Sequence, residues 1–131
     1  SSLDVQAPFK VRFDFEIFKP LNYARIGFFI TTPTGVMVFE AYDADEEEWA
    51  GRRQPGRLIV ECEVPGHLFN PGRFLLNINA GIPGVKNLLH LEGVLTLKVE
   101  ETSSTASLMR TPREGVVRLR LNWKSHKLHE A

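Results

Sequence analysis

The chain has 131 residues, 43% of them hydrophobic and 24% charged, the size and make-up of one globular domain, which excludes a disordered or fibrous polypeptide. Lysine plus arginine and aspartate plus glutamate are equal at 16 each, so no net field draws the domain toward nucleic acid or anionic lipid. A single cysteine, Cys62, excludes an internal disulfide and a thiolate metal cluster and suits a reducing, cytoplasmic setting.

No signal segment opens the chain, and no apolar run reaches the roughly 18 residues of a membrane helix. It begins Ser1-Ser2-Leu3-Asp4 without an initiator methionine, which reads as a piece of a longer polypeptide.

From Phe9 to Ile17 the pattern FKVRFDFEI alternates without error, the signature of a strand with one dry face. Ile26 to Thr32 and Val36 to Tyr42 are apolar runs around Pro33-Thr34-Gly35, a three-residue hairpin connection whose glycine tolerates positive φ. The acidic and basic stretch from Asp43 to Arg53, which carries Trp49 and Arg52, reads as a long loop. Arg57 to Val64 alternates again, with Leu58, Val60, Cys62 and Val64 on the apolar side. Asn70-Pro71-Gly72 is a turn that starts the next strand, Arg73 to Ala80, with Phe74, Leu76 and Ile78 inward and Asn77 and Asn79 outward. A glycine-rich connection, Gly81 to Asn87, then leads to a strand from Leu88 to Val99.

Residues 100–115 have no period and form a connector, and residues 116–123 alternate as a terminal strand, with Val117, Leu119, Leu121 and Trp123 on one side. Seven or eight short strands and no 3.6-residue period predict an all-β fold, an antiparallel β-sandwich of immunoglobulin-like or jelly-roll type, formed by residues 1–131 as one domain. The strand from Phe9 lacks an obvious partner before it and the terminal strand is set apart, so one of them is expected to pair with another chain.

The sequence offers no machinery for catalysis. It contains no GxxxxGK[ST], GxGxxG, GxSxG or HExxH, and no close histidine or cysteine pair of zinc-ligand spacing. His67, His90, His126 and His129 are scattered, and Cys62 shares a strand face with Leu58, Val60 and Val64, as a core residue does. No catalytic residue, metal or cofactor is expected. The acidic run Asp43 to Glu48 reads as a solvated loop: it lacks the glycine of an EF-hand and the buried acid that glycoside hydrolysis needs.

Binding is better served. Saccharides present apolar C–H faces between hydroxyls, which an aromatic platform bordered by amides and charged groups matches. Trp49, Tyr42, Phe29, Asn77, Asn79, His90 and Arg52 are of that type and are the candidate carbohydrate-binding residues, with Asp43 beside them. Asn77 and Asn79, two apart, leave the sheet on one face, and Phe29 lies opposite the inward Ile26, Phe28 and Ile30.

The succession FKVRFDFEI, ARIGFFITTPTGVMVFEAYDAD, QPGRLIVECEVPGHLFNPGRFLLNINAG and GVLTLKV, with a late Trp123, resembles the C-terminal domain of Wzt. Wzt is the ATP-binding subunit of the ABC transporter that exports O-antigen polysaccharide. The matching features are Gly27 to Ile30, Gly35, Pro55-Gly56 and Leu68 to Phe74, all structural turns and strands. The resemblance implies an immunoglobulin-like sandwich, a terminally modified O-antigen polysaccharide as ligand, and a homodimer formed by exchange of the terminal strand. It implies contact with the transporter's nucleotide-binding and membrane subunits through the full-length protein, at the cytoplasmic side of the inner membrane, and no nucleic acid partner. The family's ATPase domain and first strand are not in this sequence. A purely structural or protein-docking sandwich is the alternative reading, and a glycan-active enzyme the least favoured.

Overall fold

The computed structural model describes residues 2–45, 52–101, 115–119 and 121–127, with only the backbone of Arg52. Among them run nine strands: β1 (Ser2–Asp4), β2 (Phe9–Ile17), β3 (Leu21–Asn22), β4 (Arg25–Thr31), β5 (Met37–Tyr42), β6 (Arg52–Arg53), β7 (Gly56–Val64), β8 (Gly72–Ile82) and β9 (Lys86–Glu100). One sheet has the order β1-β9-β8-β4-β5; β2 pairs with β7, and β3 with β6. The domain is an all-β sandwich, with the β2–β7 ribbon laid over the inner face of the five-stranded sheet.

Period-two patterning accounts for the ribbon. Phe13 and Ile17 are buried while the alternating Lys10, Arg12, Asp14 and Glu16 are exposed. The register sets Lys10 opposite Glu63 and Arg12 opposite Glu61, and Arg57 grips Asp14 through two bonds of 2.8 and 2.6 Å. Opposite charges across the strands keep this outer face solvated and fix the register. Phe9, Phe13 and Val64 on the other face meet Phe28, Ile30, Phe69, Phe74 and Leu76 in the core. Phe28 and Ile30 are wholly enclosed, each worth about 1.5–3 kcal/mol of burial. The Phe69 and Phe74 rings lie 4.8 Å apart between centroids, and Phe39 stands edge-on to Phe28 at 5.8 Å.

The hairpin at Pro33-Thr34-Gly35 forms as the sequence predicts, with Gly35 at φ 91° and the amide of Thr32 bonded to Val36 O at 2.9 Å. Other expectations are corrected. A strand does precede Phe9: β1 pairs with β9, Ser2 opposite Lys98, and does so in parallel, so the large sheet is mixed. Asp43 to Arg53 is not loop throughout. It opens with a 3-10 turn, Asp43–Asp45, and closes with β6, where Leu21 faces Arg53. There the buried Arg53 guanidinium pairs with the Asp43 carboxylate, whose other oxygen accepts the amide of Ile26 at 3.1 Å. Two-residue strands carry no period, so pattern alone does not reveal them.

The terminal segment is anchored and then set free. Val117 bridges Phe69, Asn70 takes Val116 O at 3.0 Å, and Arg118 donates its amide to Leu68 O at 2.8 Å. Arg118, buried, also pairs with the largely covered Glu101 at 2.7 Å. Beyond this point Leu119, Leu121 and Trp123 are exposed, Trp123 at 88%, and no further strand pairing occurs among the described residues. A second apolar surface is uncovered inside the sandwich. Leu91 and Leu95 pair with Ile78 and Leu76, which puts them on the inner face, yet they are 44% and 50% exposed. The two-stranded ribbon does not extend over them.

Candidate functional site

The outer face of the large sheet is built from alternate residues of β5, β4, β8 and β9. One cross-strand row reads Tyr42, Gly27, Asn79, His90, and the next Glu40, Phe29, Asn77. Because Ile26, Phe28 and Ile30 are committed to the core, Arg25, Gly27 and Phe29 must face out.

Gly27 determines what happens above β4. A Cβ at this position would stand 2.0 Å from Ala41 O and 2.7 Å from Cδ1 of Tyr42, so only glycine lets the Tyr42 ring lie against the sheet. The ring reaches across, and its hydroxyl accepts from Asn79 Nδ2 at 3.2 Å and donates to Glu40 at 3.4 Å. The Arg25 guanidinium covers the ring at 3.7 Å from its centroid. Alongside, Phe29 and His90 stack with centroids 5.6 Å apart and planes inclined by 27°. Glu92 holds His90 Nε2 at 3.1 Å. Aromatic surface, an amide, a guanidinium and carboxylates thus share one exposed sheet face.

Asn77 sits in this row but does not present its amide. It is 3% exposed. Its Nδ2 is shared among Phe29 O, Thr31 Oγ1 and Leu75 O, and its Oδ1 accepts the amide of Gly93 at 2.8 Å. The register between β8 and β9 shifts at this point, and the Asn77 amide satisfies the backbone that the irregularity leaves unpaired. Asn79 differs: its Oδ1 is buried and has no partner. Trp49 lies outside the described residues, and of Arg52 only the backbone, paired with Asn22 in the β3–β6 ribbon, is described. Arg25, which the sequence reading did not single out, belongs to the site; its spacing two before Gly27 and four before Phe29 was the available signal.

Beside the patch lies a polar hollow of about 320 Å³, lined by Arg25, Asn79, Lys86, Asn87 and the turn from Ile82 to Val85. On the inner side, the edges of β5 and β7 stay apart and leave an apolar seam of about 500 Å³ that Cys62 lines. Burial, with Asp45 adding to it, pushes the Cys62 thiol above its ordinary value. Among the described residues no group of three or more His, Cys, Asp or Glu is placed to hold a metal ion.

The strand order and the two facing layers define the protein as a β-sandwich domain with an aromatic and polar outer sheet face. Among solved structures, it is similar to the C-terminal domain of Wzt, with a TM-score of 0.72 at 18% identity, over 95% of this chain and 74% of that one. The two share a fold. No family model and no curated protein matches the chain.

Proposed function

We propose that this domain is a non-catalytic carbohydrate-binding module that recognises O-antigen polysaccharide, at its modified non-reducing end, for export by an ABC transporter. The observation that carries the reading is the convergence of Phe29, His90, Tyr42, Arg25 and Asn79 on one solvent-facing sheet. The Phe29–His90 pair offers apolar surface to a sugar ring, and Glu40 and Glu92 offer acceptors to its hydroxyls. Stacking contributes ~1 kcal/mol beyond area burial and each hydrogen bond ~0.5–1.5 kcal/mol net. After the cost of association, a few such contacts give millimolar to micromolar affinity, which suits capture followed by release. Asn77 acts as a positioning residue that holds the sheet beneath Phe29.

The sugar specificity and the setting in an exporter, at the cytoplasmic side of the inner membrane, rest on the resemblance to Wzt, supported by the shared fold. A homodimer belongs to the same reading. The exposed Leu119, Leu121 and Trp123 of one copy supply an alternating apolar strand, and Leu91 and Leu95 of the other an uncovered inner face of matching character. Residues 116–118 stay docked on their own sandwich, and exchange of the remainder of 116–123 buries both.

Calorimetric titration with O-polysaccharide from the source cell tests the binding. Saturable binding that Phe29→Ala and Tyr42→Ala abolish, with circular dichroism unchanged, is the expected result. A folded domain indifferent to the polysaccharide leaves the protein-docking reading instead, and shortened glycan chains after incubation would mean an enzyme.

A further inference from the structure

Charges on the outer sheet face are sorted along it. Glu40 and Glu92 stand toward the Phe29 and Asn77 row, while Arg25 and Lys86 stand at the opposite end, around the polar hollow. Among the described residues no aspartate or glutamate lines that hollow, and neither cation has a carboxylate partner. Arg25 spends the face of its guanidinium on Tyr42, which leaves the N–H edge of the group, the part that recognises oxyanions, uncommitted among the described residues. The amide of Asn87 lines the same hollow, and the turn that carries Lys86 passes through Gly84 at φ 72°, a conformation that only glycine adopts freely. Asn79 is shared between the hollow and the aromatic patch, its Nδ2 donating to the Tyr42 hydroxyl.

From this arrangement we infer that the hollow is an anion subsite, which takes a carboxylate or phosphate substituent of the bound saccharide. Anionic oxygens meet Arg25 and Lys86, and the rest of the ring extends toward Phe29 and His90. The same charge sorting repels a substituent of the wrong sign at each end, so it also orients the chain on the sheet. The inference rests on the saccharide-binding reading above and deepens it by giving the ligand a charge.

Titrations of isotope-labelled protein followed by NMR test it, with methyl glucoside, glucuronate, glucose 6-phosphate and inorganic phosphate as probes. The expected result is that one or both acidic sugars bind roughly tenfold tighter than methyl glucoside and move the side-chain amides of Asn79 and Asn87. Lys86→Gln is expected to remove most of that preference while leaving methyl glucoside unaffected, since Lys86 makes no contact with the Tyr42, Phe29 or His90 rings among the described residues; Arg25→Gln serves as the second variant. The separate carboxylate and phosphate arms identify the substituent. Equal binding of all three sugars, unchanged by Lys86→Gln, overturns the anion subsite and leaves saccharide binding standing. Inorganic phosphate binding as tightly as glucose 6-phosphate overturns it as a sugar subsite. Failure of every small probe overturns it too, while the polysaccharide titration judges the saccharide reading separately.

Discussion

Asn79 on β8 donates to the hydroxyl of Tyr42 on β5 at 3.2 Å, although β4 runs between them. The bond is possible because the residue it passes over is Gly27. Gly27→Ala therefore meets the carbonyl of Ala41 and the Tyr42 ring together, and backbone cannot yield as a flexible side chain does. A loss of about 1–3 kcal/mol is expected in urea denaturation, typical of overpacking. Tyr42→Phe keeps the ring and removes only its hydroxyl, so a loss nearer 1 kcal/mol is expected. A stable Gly27→Ala variant with unchanged saccharide affinity would mean that Tyr42 does not need to lie on the sheet.

The buried pair of Arg118 and Glu101 makes a sharper prediction for stability. Arg118 holds Glu101 at 2.7 Å while its amide and the neighbouring Val116 and Val117 dock on residues 68–70. Glu101→Ala leaves a buried guanidinium without its counter-charge, and about 3–5 kcal/mol should be lost. Replacing both, Glu101→Leu with Arg118→Met, is expected to recover most of that, because no charge is then stranded. A double-mutant cycle read by chemical denaturation distinguishes this from simple loss of packing.

How far the sequence foretells these features depends on whether a residue belongs to a repeating pattern. The strands of FKVRFDFEI and RLIVECEV are legible because alternation records which face is dry. The face that carries Phe29, Asn79 and Tyr42 is legible for the same reason. Whether an outward residue is free is another matter: Asn77 and Asn79 look alike in the sequence, and only the irregular β8–β9 pairing, which delivers Gly93 to Asn77 Oδ1, separates them. The parallel strand β1 and the β3–β6 ribbon are too short to have a period. Arg25 becomes part of the site through the ring it covers, a contact made across two strands.

Cys62 lines the seam between β5 and β7, where burial raises its thiol pKa and the charge of Asp45 acts in the same direction. The thiolate is the reactive form, so native protein should react with iodoacetamide at pH 8 more slowly than the same chain in urea. A native rate equal to the unfolded one would mean that the seam is open to solvent.

Asp14 gives the pH dependence a sign. The hydrogen bond from Arg57 holds its carboxyl below the ordinary carboxylate value, against a smaller opposing effect of desolvation. A depressed native pKa means stabilisation that is present above the unfolded value of about 3.9 and is lost as pH falls through the native one. Urea midpoints should therefore fall more steeply on acidification in the wild type than in Asp14→Asn. Both groups are exposed, so the difference is small and salt should shrink it; identical acid limbs would show the bidentate pair to be without effect.

Trp123 reports on self-association. At 88% exposure its ring is in water in a single copy, and an exchanged terminal strand would carry it with Leu119 and Leu121 onto the uncovered Leu91 and Leu95 of a second copy. Sedimentation equilibrium is expected to give twice the chain mass, and tryptophan emission to shift to the blue as concentration rises, a shift that Trp123→Phe removes. Leu121→Asp puts a charge in the middle of the apolar row, and burying it unpaired costs several kcal/mol, enough to return the protein to monomer. The substitution lies beyond the Arg118 anchor, so the variant should keep the circular dichroism of the folded sandwich, its unfolding midpoint falling only by what association contributed. Monomeric wild type at every concentration, with emission fixed to the red, would mean that the terminal segment does not serve a second copy.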